Sequence, residues 1–170
     1  MTLKLFILSL ATVIAASAQA SPITVVDGDS FSVNFNGVVD GNPQAGLTAT
    51  ADFEVTDVTY DSGTNTTAWD FTIALANTSG GPISASRVSI LGFDTNPDVI
   101  LSASTVSGGT FDTVATGNMP QLGNLEVCLT GVNCAGGGGG GVGIGSVAEL
   151  MVTLTFAGDI TSLMMDNFGV

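Results

Sequence analysis

The residues best suited to chemistry in this chain are oxygen donors on a turn. The run from Asp94 to Asp98 places two carboxylates and an amide within five positions, and the run from Asp27 to Ser30 is similar. Calcium ions take six to eight such oxygen ligands. The spacing matches no EF-hand loop, and Asx turns explain the same residues without a metal. Two interpretations stay open: turn structure, or a calcium site formed by Asp94, Asn96 and Asp98.

The chain lacks residues that common catalytic sites require. It contains no histidine, so neither a Ser-His-Asp nor a Cys-His arrangement can form. Pairs of carboxylates could serve a glycosidase, but the chain has a single Trp and a single Tyr, whereas such clefts are usually lined with aromatics. The composition therefore predicts a non-enzymatic protein.

The two cysteines, Cys128 and Cys134, have five residues between them. Two thiols without histidine cannot complete a zinc shell, so a disulfide is the expected pairing in an oxidising compartment. Such a loop gives roughly 2 kcal/mol of stabilisation by the chain-entropy relation. Six glycines follow, from Gly136 to Gly141. Because polyglycine has no side chains to pack, residues 135–146 are predicted to be a flexible surface loop.

Charge restricts the partners of this protein. Arg87 is the only basic residue after position 20, and it stands against 15 acidic residues, so residues 21–170 carry a net charge of −14. No nucleic acid partner is expected, because phosphate binding needs clustered Lys and Arg. The same field repels polyanionic glycans and membranes unless cations intervene. Arg87 itself could form an ion pair, pack along a sheet face or bind a ligand.

The first 20 residues have the pattern of a secretory signal peptide. Lys4 precedes an apolar run from Leu5 to Ile14, and the segment closes on Ala18-Gln19-Ala20. The run is shorter than the roughly 20 residues that a transmembrane helix needs. Cleavage is predicted between Ala20 and Ser21, and no membrane span is expected in the mature chain.

The rest of the chain has the periodicity of strands, which must position the residues above. Apolar and polar residues alternate in three long runs, and this pattern places one apolar face inward. The predicted inward positions are Leu47, Ala49, Ala51, Phe53, Val55, Trp69, Phe71, Ile73, Leu75, Ala148, Leu150, Val152, Leu154 and Phe156. Turn-forming Gly, Asn and Pro residues separate the runs. The pattern predicts an all-β fold, an antiparallel β-sandwich of jelly-roll or Ig-like type, in one domain over residues 21–170.

A further signal comes from six stretches taken in order. They are Phe31–Gly37, Gly46–Ala49, Ser86–Ser89, Gly92–Pro97, Glu126–Cys128 and Asn133–Cys134. Together with the glycine run, they resemble the cistern family of bacterial PEP-CTERM proteins. The resemblance implies a secreted surface or matrix protein of an exopolysaccharide-producing Gram-negative bacterium, and it implies no catalytic residues. Members of that family end in a Pro-Glu-Pro motif, an apolar helix and a basic tail, and none of these precedes Val170.

These observations lead to one main expectation and one alternative. We expect an exported, non-enzymatic protein of the cell surface or of an extracellular matrix such as a biofilm, with exopolysaccharide or other matrix components as partners. The alternative is a carbohydrate-binding or calcium-dependent adhesion module, with calcium as its cofactor. Exosortase would be a partner only if the full-length chain carries a sorting signal. The last residues, 163–170, have the pattern of a strand, which suggests either a fragment or a protein released without sorting.

Overall fold

A computed structural model describes residues 21–135 and 140–170. The predicted signal peptide and the Ala20 side of its cleavage site lie outside the described residues, as do residues 136–139 of the glycine run. The described chain forms strands and one short 3-10 turn at Leu101–Ala103. The strands are β1 (Ile23–Val25), β2 (Ser30–Val39), β3 (Asn42–Asp61), β4 (Thr66–Asn77), β5 (Arg87–Val88), β6 (Ile90–Asn96), β7 (Thr105–Ser107), β8 (Thr113–Met119), β9 (Gly123–Thr130), β10 (Val142–Gly143), β11 (Val147–Ala157) and β12 (Leu163–Gly169).

Ten of these strands form two five-stranded sheets. Sheet I has the order β1-β12-β6-β9-β8, and sheet II has the order β2-β3-β4-β11-β7. Neighbouring strands in both sheets are antiparallel. The remaining strands, β5 and β10, form a separate two-stranded ribbon. The predicted all-β antiparallel sandwich is confirmed.

Sheet II follows the alternation that the sequence predicts. Along β4, buried residues alternate with half-buried ones from Thr66 to Asn77. Trp69 and Leu75 are fully buried, and the corresponding inward positions of β3 and β11 are buried in the same way, apart from Leu47 and Ala148, which are half-buried. Buried and more exposed residues alternate because successive side chains of a strand point to opposite faces of the sheet.

The core lies between the two sheets and is centred on aromatic side chains. Phe53 of sheet II stacks on Phe31, with ring centroids 4.6 Å apart. The same ring meets Phe93 and Phe168 of sheet I edge-on, at centroid distances of 6.0 and 5.7 Å. Offset and edge-to-face contacts of this kind add to the free energy gained by burial alone. They fix how the two sheets face each other.

Sheet I differs because its central strands, β6 and β9, are buried on both faces. Its outer face carries a second apolar cluster of Ile90, Met119, Leu125, Cys128 and Cys134. As a result, β6 and β9 are buried over consecutive residues instead of every second one. The sulfur atoms of Cys128 and Cys134 lie 2.27 Å apart, at disulfide-bonding distance as predicted.

Residues 140–146 return the chain from the glycine run to sheet II. Within the predicted loop 135–146, Val142 and Gly143 form β10, which pairs with Val88 and Arg87 of β5. Val142 is buried. Gly141 has φ of +131°, and a Cβ there would lie 2.6 Å from Cγ of Arg87. This end of the run is therefore an ordered close approach of the backbone that a side chain would obstruct.

Candidate functional site

The residues predicted to bind calcium lie at the end of β6. Asp94 is half-buried, whereas Asn96 and Asp98 are exposed. One carboxylate oxygen of Asp94 accepts a hydrogen bond from the backbone N–H of Glu126 at 2.7 Å. The other accepts one from the side-chain amide of Asn167 at 2.9 Å. The Asp94 carboxylate therefore already joins three strands of sheet I.

Glu126 has a matching role that the sequence analysis missed. One of its carboxylate oxygens accepts from the backbone N–H of Thr95 at 2.9 Å and from the Thr95 hydroxyl at 2.7 Å. The other oxygen accepts from the backbone N–H of Val99. The β6–β9 ladder ends at the Phe93–Val127 pair. Beyond that pair, the two carboxylates replace strand carbonyls as hydrogen-bond acceptors, so this cluster closes the open end of sheet I.

This geometry leaves the calcium prediction untested. Within residues 21–135 and 140–170, no group of three or more His, Cys, Asp or Glu side chains is placed to hold a metal ion. A calcium ion at Asp94 would have to share oxygens that already accept hydrogen bonds from the protein. Calcium binding by Asp94, Asn96 and Asp98 stays a prediction.

A second candidate is the outer face of sheet II, which we call the open face. Its four long strands present small hydroxyl, amide, methyl and carboxylate side chains, with two larger apolar residues on β11. The open face consists of Ser30, Ser32, Asn34 and Asn36 of β2, Thr48, Thr50, Asp52, Glu54 and Asp57 of β3, Asp70, Thr72, Ala74 and Ala76 of β4, and Val147, Glu149, Met151 and Thr153 of β11. The result is a broad, low-relief surface that carries negative charge.

Hydrogen bonds within the open face orient its carboxylates. The Ser32 hydroxyl donates to Asp52 on the next strand, and the Thr153 hydroxyl donates to Asp70. Ala74 lies opposite Asp52 on one side and opposite Glu149 on the other, and it separates these two carboxylates. Because like charges directly across a strand pair destabilise a sheet, Ala74 reduces the repulsion between Asp52 and Glu149. Asp57 and Asp70, by contrast, lie directly opposite each other on β3 and β4.

The third candidate is a small pocket between the β2–β3 hairpin and the β5–β10 ribbon, which we call the Arg87 pocket. Phe35, Leu47 and Val88 contribute apolar surface, and Ser86 and Arg87 contribute polar groups. None of the described residues that line it is Asp or Glu. It combines an apolar wall with the one basic side chain of residues 21–170.

Asn77 supports the floor of the Arg87 pocket and is only 1% exposed. Its side-chain N–H groups donate to the carbonyl of Val142 at 3.0 Å and to the Ser86 hydroxyl at 3.1 Å. Its side-chain oxygen accepts from the backbone N–H of Ser79 at 3.1 Å. Asn77 also begins an Asn-Thr-Ser glycosylation sequon, but burial makes this amide inaccessible in the folded protein.

In the described residues, no helix is long and apolar enough to cross a membrane. Comparison of the chain with protein-family models, with curated proteins and with solved structures gives no match in any of the three. The resemblance to the cistern family stays a prediction that depends on the residues named above.

Proposed function

We propose that this protein is an exported, non-enzymatic β-sandwich of a Gram-negative cell surface or extracellular matrix, where its open face lies against hydroxyl-rich polysaccharide. The signal-peptide pattern of residues 1–20 supports export, and the disulfide-distance cysteines suit an oxidising compartment. The cistern resemblance supports a matrix setting. Each of these points to location, and the open face is the observation that points to an activity.

The open face carries the proposal because its chemistry and shape suit a polymer. Strands about 4.8 Å apart, with outward residues about 6.8 Å apart along each strand, place small polar groups on a regular grid. Hydroxyl, amide and carboxylate groups all accept or donate hydrogen bonds to sugar hydroxyls. The carboxylates of Asp52, Glu54, Asp70 and Glu149 make a polyanion an unfavourable partner. A neutral or sparsely charged polysaccharide is the partner that this surface fits.

The test measures retention of the exported protein on neutral polysaccharide. Thr72 lies at the middle of the open face, opposite Glu54 and Met151. Thr72→Lys places a long charged side chain on this low-relief surface and should reduce the retained fraction several-fold. Thr113→Lys is the matched control, because Thr113 is exposed on the edge strand β8 of sheet I and the charge change is the same.

Two results would contradict the proposal. Equal retention of the two lysine variants would show that the open face makes no contact with the polymer. Recovery of the whole protein from the cytoplasm, with residues 1–20 still attached, would remove the matrix setting. N-terminal sequencing of the exported protein should begin at Ser21.

A further inference from the structure

We propose that the Arg87 pocket binds a single uronic acid unit of an otherwise neutral saccharide. The carboxylate of the sugar would meet the Arg87 guanidinium, and one face of the sugar ring would lie against Phe35 and Leu47. This inference rests on the proposed function and adds to it a second site with a defined ligand class. Thr48 is the one open-face residue that also lines the pocket, so the two sites can be tested with substitutions of residues that belong to one site alone.

Charge is the first argument for an acidic ligand. Arg87 is the only Lys or Arg in residues 21–170, which contain 15 acidic residues. It lies at a pocket whose described lining includes no acid. A guanidinium presents five N–H donors in a planar fork that matches a carboxylate. Arg87 also interacts within the protein, and the proposal does not require it to be free, because five donors can serve more than one acceptor.

Shape is the second argument, and it favours a sugar over a bare anion. Phe35 and Leu47 are half-buried and leave apolar surface at the pocket. A pyranose ring has an apolar face of C–H groups and a rim of hydroxyls. Its apolar face can lie on Phe35 and Leu47, while the Ser86 hydroxyl reaches the hydroxyl rim. An inorganic oxyanion would use Arg87 but would gain nothing from the apolar wall.

Pre-organisation is the third argument. Arg87 is paired with Gly143 in the β5–β10 ribbon, and Asn77 ties this ribbon to β4 through Val142 and Ser86. The aliphatic stem of Arg87 passes so close to Gly141 that a Cβ there would lie 2.9 Å from Cδ of Arg87. The backbone at Gly141 therefore restricts the Cγ–Cδ part of this exposed side chain. A side chain held in this way loses less conformational entropy when it binds.

The net charge of the protein selects a single uronate over a polyuronate. Residues 21–170 carry a net charge of −14, so each additional carboxylate on a ligand adds repulsion from the protein as a whole. One carboxylate can meet Arg87 directly, whereas its neighbours along a polyuronate would face acidic surface. We therefore expect a neutral oligosaccharide with one uronate to bind more tightly than a polyuronate of equal length.

The experiment titrates the exported protein with defined probes and follows binding by calorimetry or NMR. The probes are methyl glucuronoside, methyl glucoside and inorganic phosphate. Methyl glucuronoside should bind at least tenfold more tightly than either of the other two. Arg87→Gln should weaken its binding at least tenfold, and Arg87→Lys, which keeps the charge but not the fork, should give an intermediate loss.

A matched pair of glycine variants tests the pre-organisation. Gly141→Ala places a Cβ against the Val88 carbonyl oxygen and 2.6 Å from Cγ of Arg87, so β5 must shift together with the Arg87 stem, and methyl glucuronoside binding should weaken. Gly143→Ala adds the same methyl group on the same ribbon, where nothing lies within 4 Å, and should bind as the parent does. Circular dichroism of each variant establishes that the sandwich is folded.

Several results would overturn the proposal. Equal binding of methyl glucoside would remove the role of the carboxylate, and equal binding of phosphate would remove the sugar. An unchanged affinity in folded Arg87→Gln would place the ligand elsewhere. If these three contrary results are all obtained while the open face still retains polysaccharide, the pocket inference is wrong and the proposed function still stands.

Discussion

The outer faces of the two sheets differ in burial and in the chemistry of their side chains. Sheet I is covered outside by a second apolar cluster that includes Cys128 and Cys134. Sheet II leaves its outer face open, with small polar and acidic side chains. The outer face of sheet I is therefore apolar and buried over its central strands, whereas that of sheet II is polar, acidic and partly exposed.

Glycine makes the covering of sheet I possible. Gly92 of β6 and Gly169 of β12 are paired across the sheet and leave room on its outer side. A Cβ at Gly92 would lie 2.5 Å from Leu125 and 3.3 Å from Met119. The open face of sheet II needs no such space, because nothing in the described chain packs over its centre. Side-chain volume is therefore limited on one outer face and free on the other.

The largest expected change in the free energy of unfolding comes from comparing two neighbouring residues of β11, one on the inner face of sheet II and one on its outer face. Leu150 is fully buried, and its neighbour Met151 is 66% exposed on the open face. Leu150→Ala should lower the free energy of unfolding by about 2–5 kcal/mol, since it removes core contacts and leaves a cavity. Met151→Ala should change it by less than about 0.5 kcal/mol. Denaturant unfolding measures both, and similar losses would show that the open face is covered in solution.

Loss of the cysteine pair should affect sheet I more than sheet II. The double substitution Cys128→Ala/Cys134→Ala should lower the free energy of unfolding by roughly 2 kcal/mol, because it releases the loop constraint on the unfolded chain. Hydrogen exchange should become faster in β6, β8 and β9, which surround this cluster. The parent protein in reductant is the control and should behave similarly. Lower global stability speeds exchange of the slowest amides in both sheets, so the comparison uses amides that exchange by local opening. An equal acceleration of those amides in β3, β4 and β11 would contradict the division between the two sheets.

Added volume should distinguish the two outer faces directly. Gly92→Ala places a methyl group against the buried Leu125 side chain and should cost about 1–2 kcal/mol by overpacking. Ala74→Val adds volume at the centre of the open face and should stay within about 0.5 kcal/mol of the parent. Thermal unfolding of the two variants is the measurement. A neutral Gly92→Ala would mean that the outer cluster of sheet I is loosely packed.

The same contrast explains how much the sequence could predict. Sheet II alternates over most of β3, β4 and β11, so many of its buried residues, among them Trp69, Ile73 and Leu154, could be identified from period two alone. In β6 and β9 alternation fails, because Leu91 and Leu129 face the core while Ile90 and Cys128 face the second cluster. A strand that is buried on both faces shows only a continuous apolar run. The spacing of apolar residues in such a strand therefore does not show which residues face the core and which face the outer cluster.

Site residues were predicted less completely, for reasons of the same kind. The oxygen-rich run marked Asp94 as important, but its partner Glu126 is 32 residues away and no local pattern joins them. The glycine run predicted a loop without side-chain packing, yet Gly141 is required where the backbone crosses Arg87. Long-range contacts of this type depend on strand order, which the alternation of a single strand does not encode.

The smallest expected effect lies at the β3–β4 hairpin, at the end of sheet II. Asp61 is exposed, and the backbone N–H of Gly63 and then the Thr64 hydroxyl donate hydrogen bonds that lower the pKa of this carboxyl. A lowered pKa in the folded state stabilises the hairpin above the ordinary carboxyl pKa, and this contribution is lost as the pH falls through the folded pKa. Thr64→Ala should raise the pKa of Asp61, whereas Ser62→Ala in the same turn should leave it unchanged. Carboxyl chemical shifts followed by NMR during an acid titration measure both, and an equal response to the two substitutions would show that the Thr64 hydroxyl contributes nothing to the ionisation of Asp61.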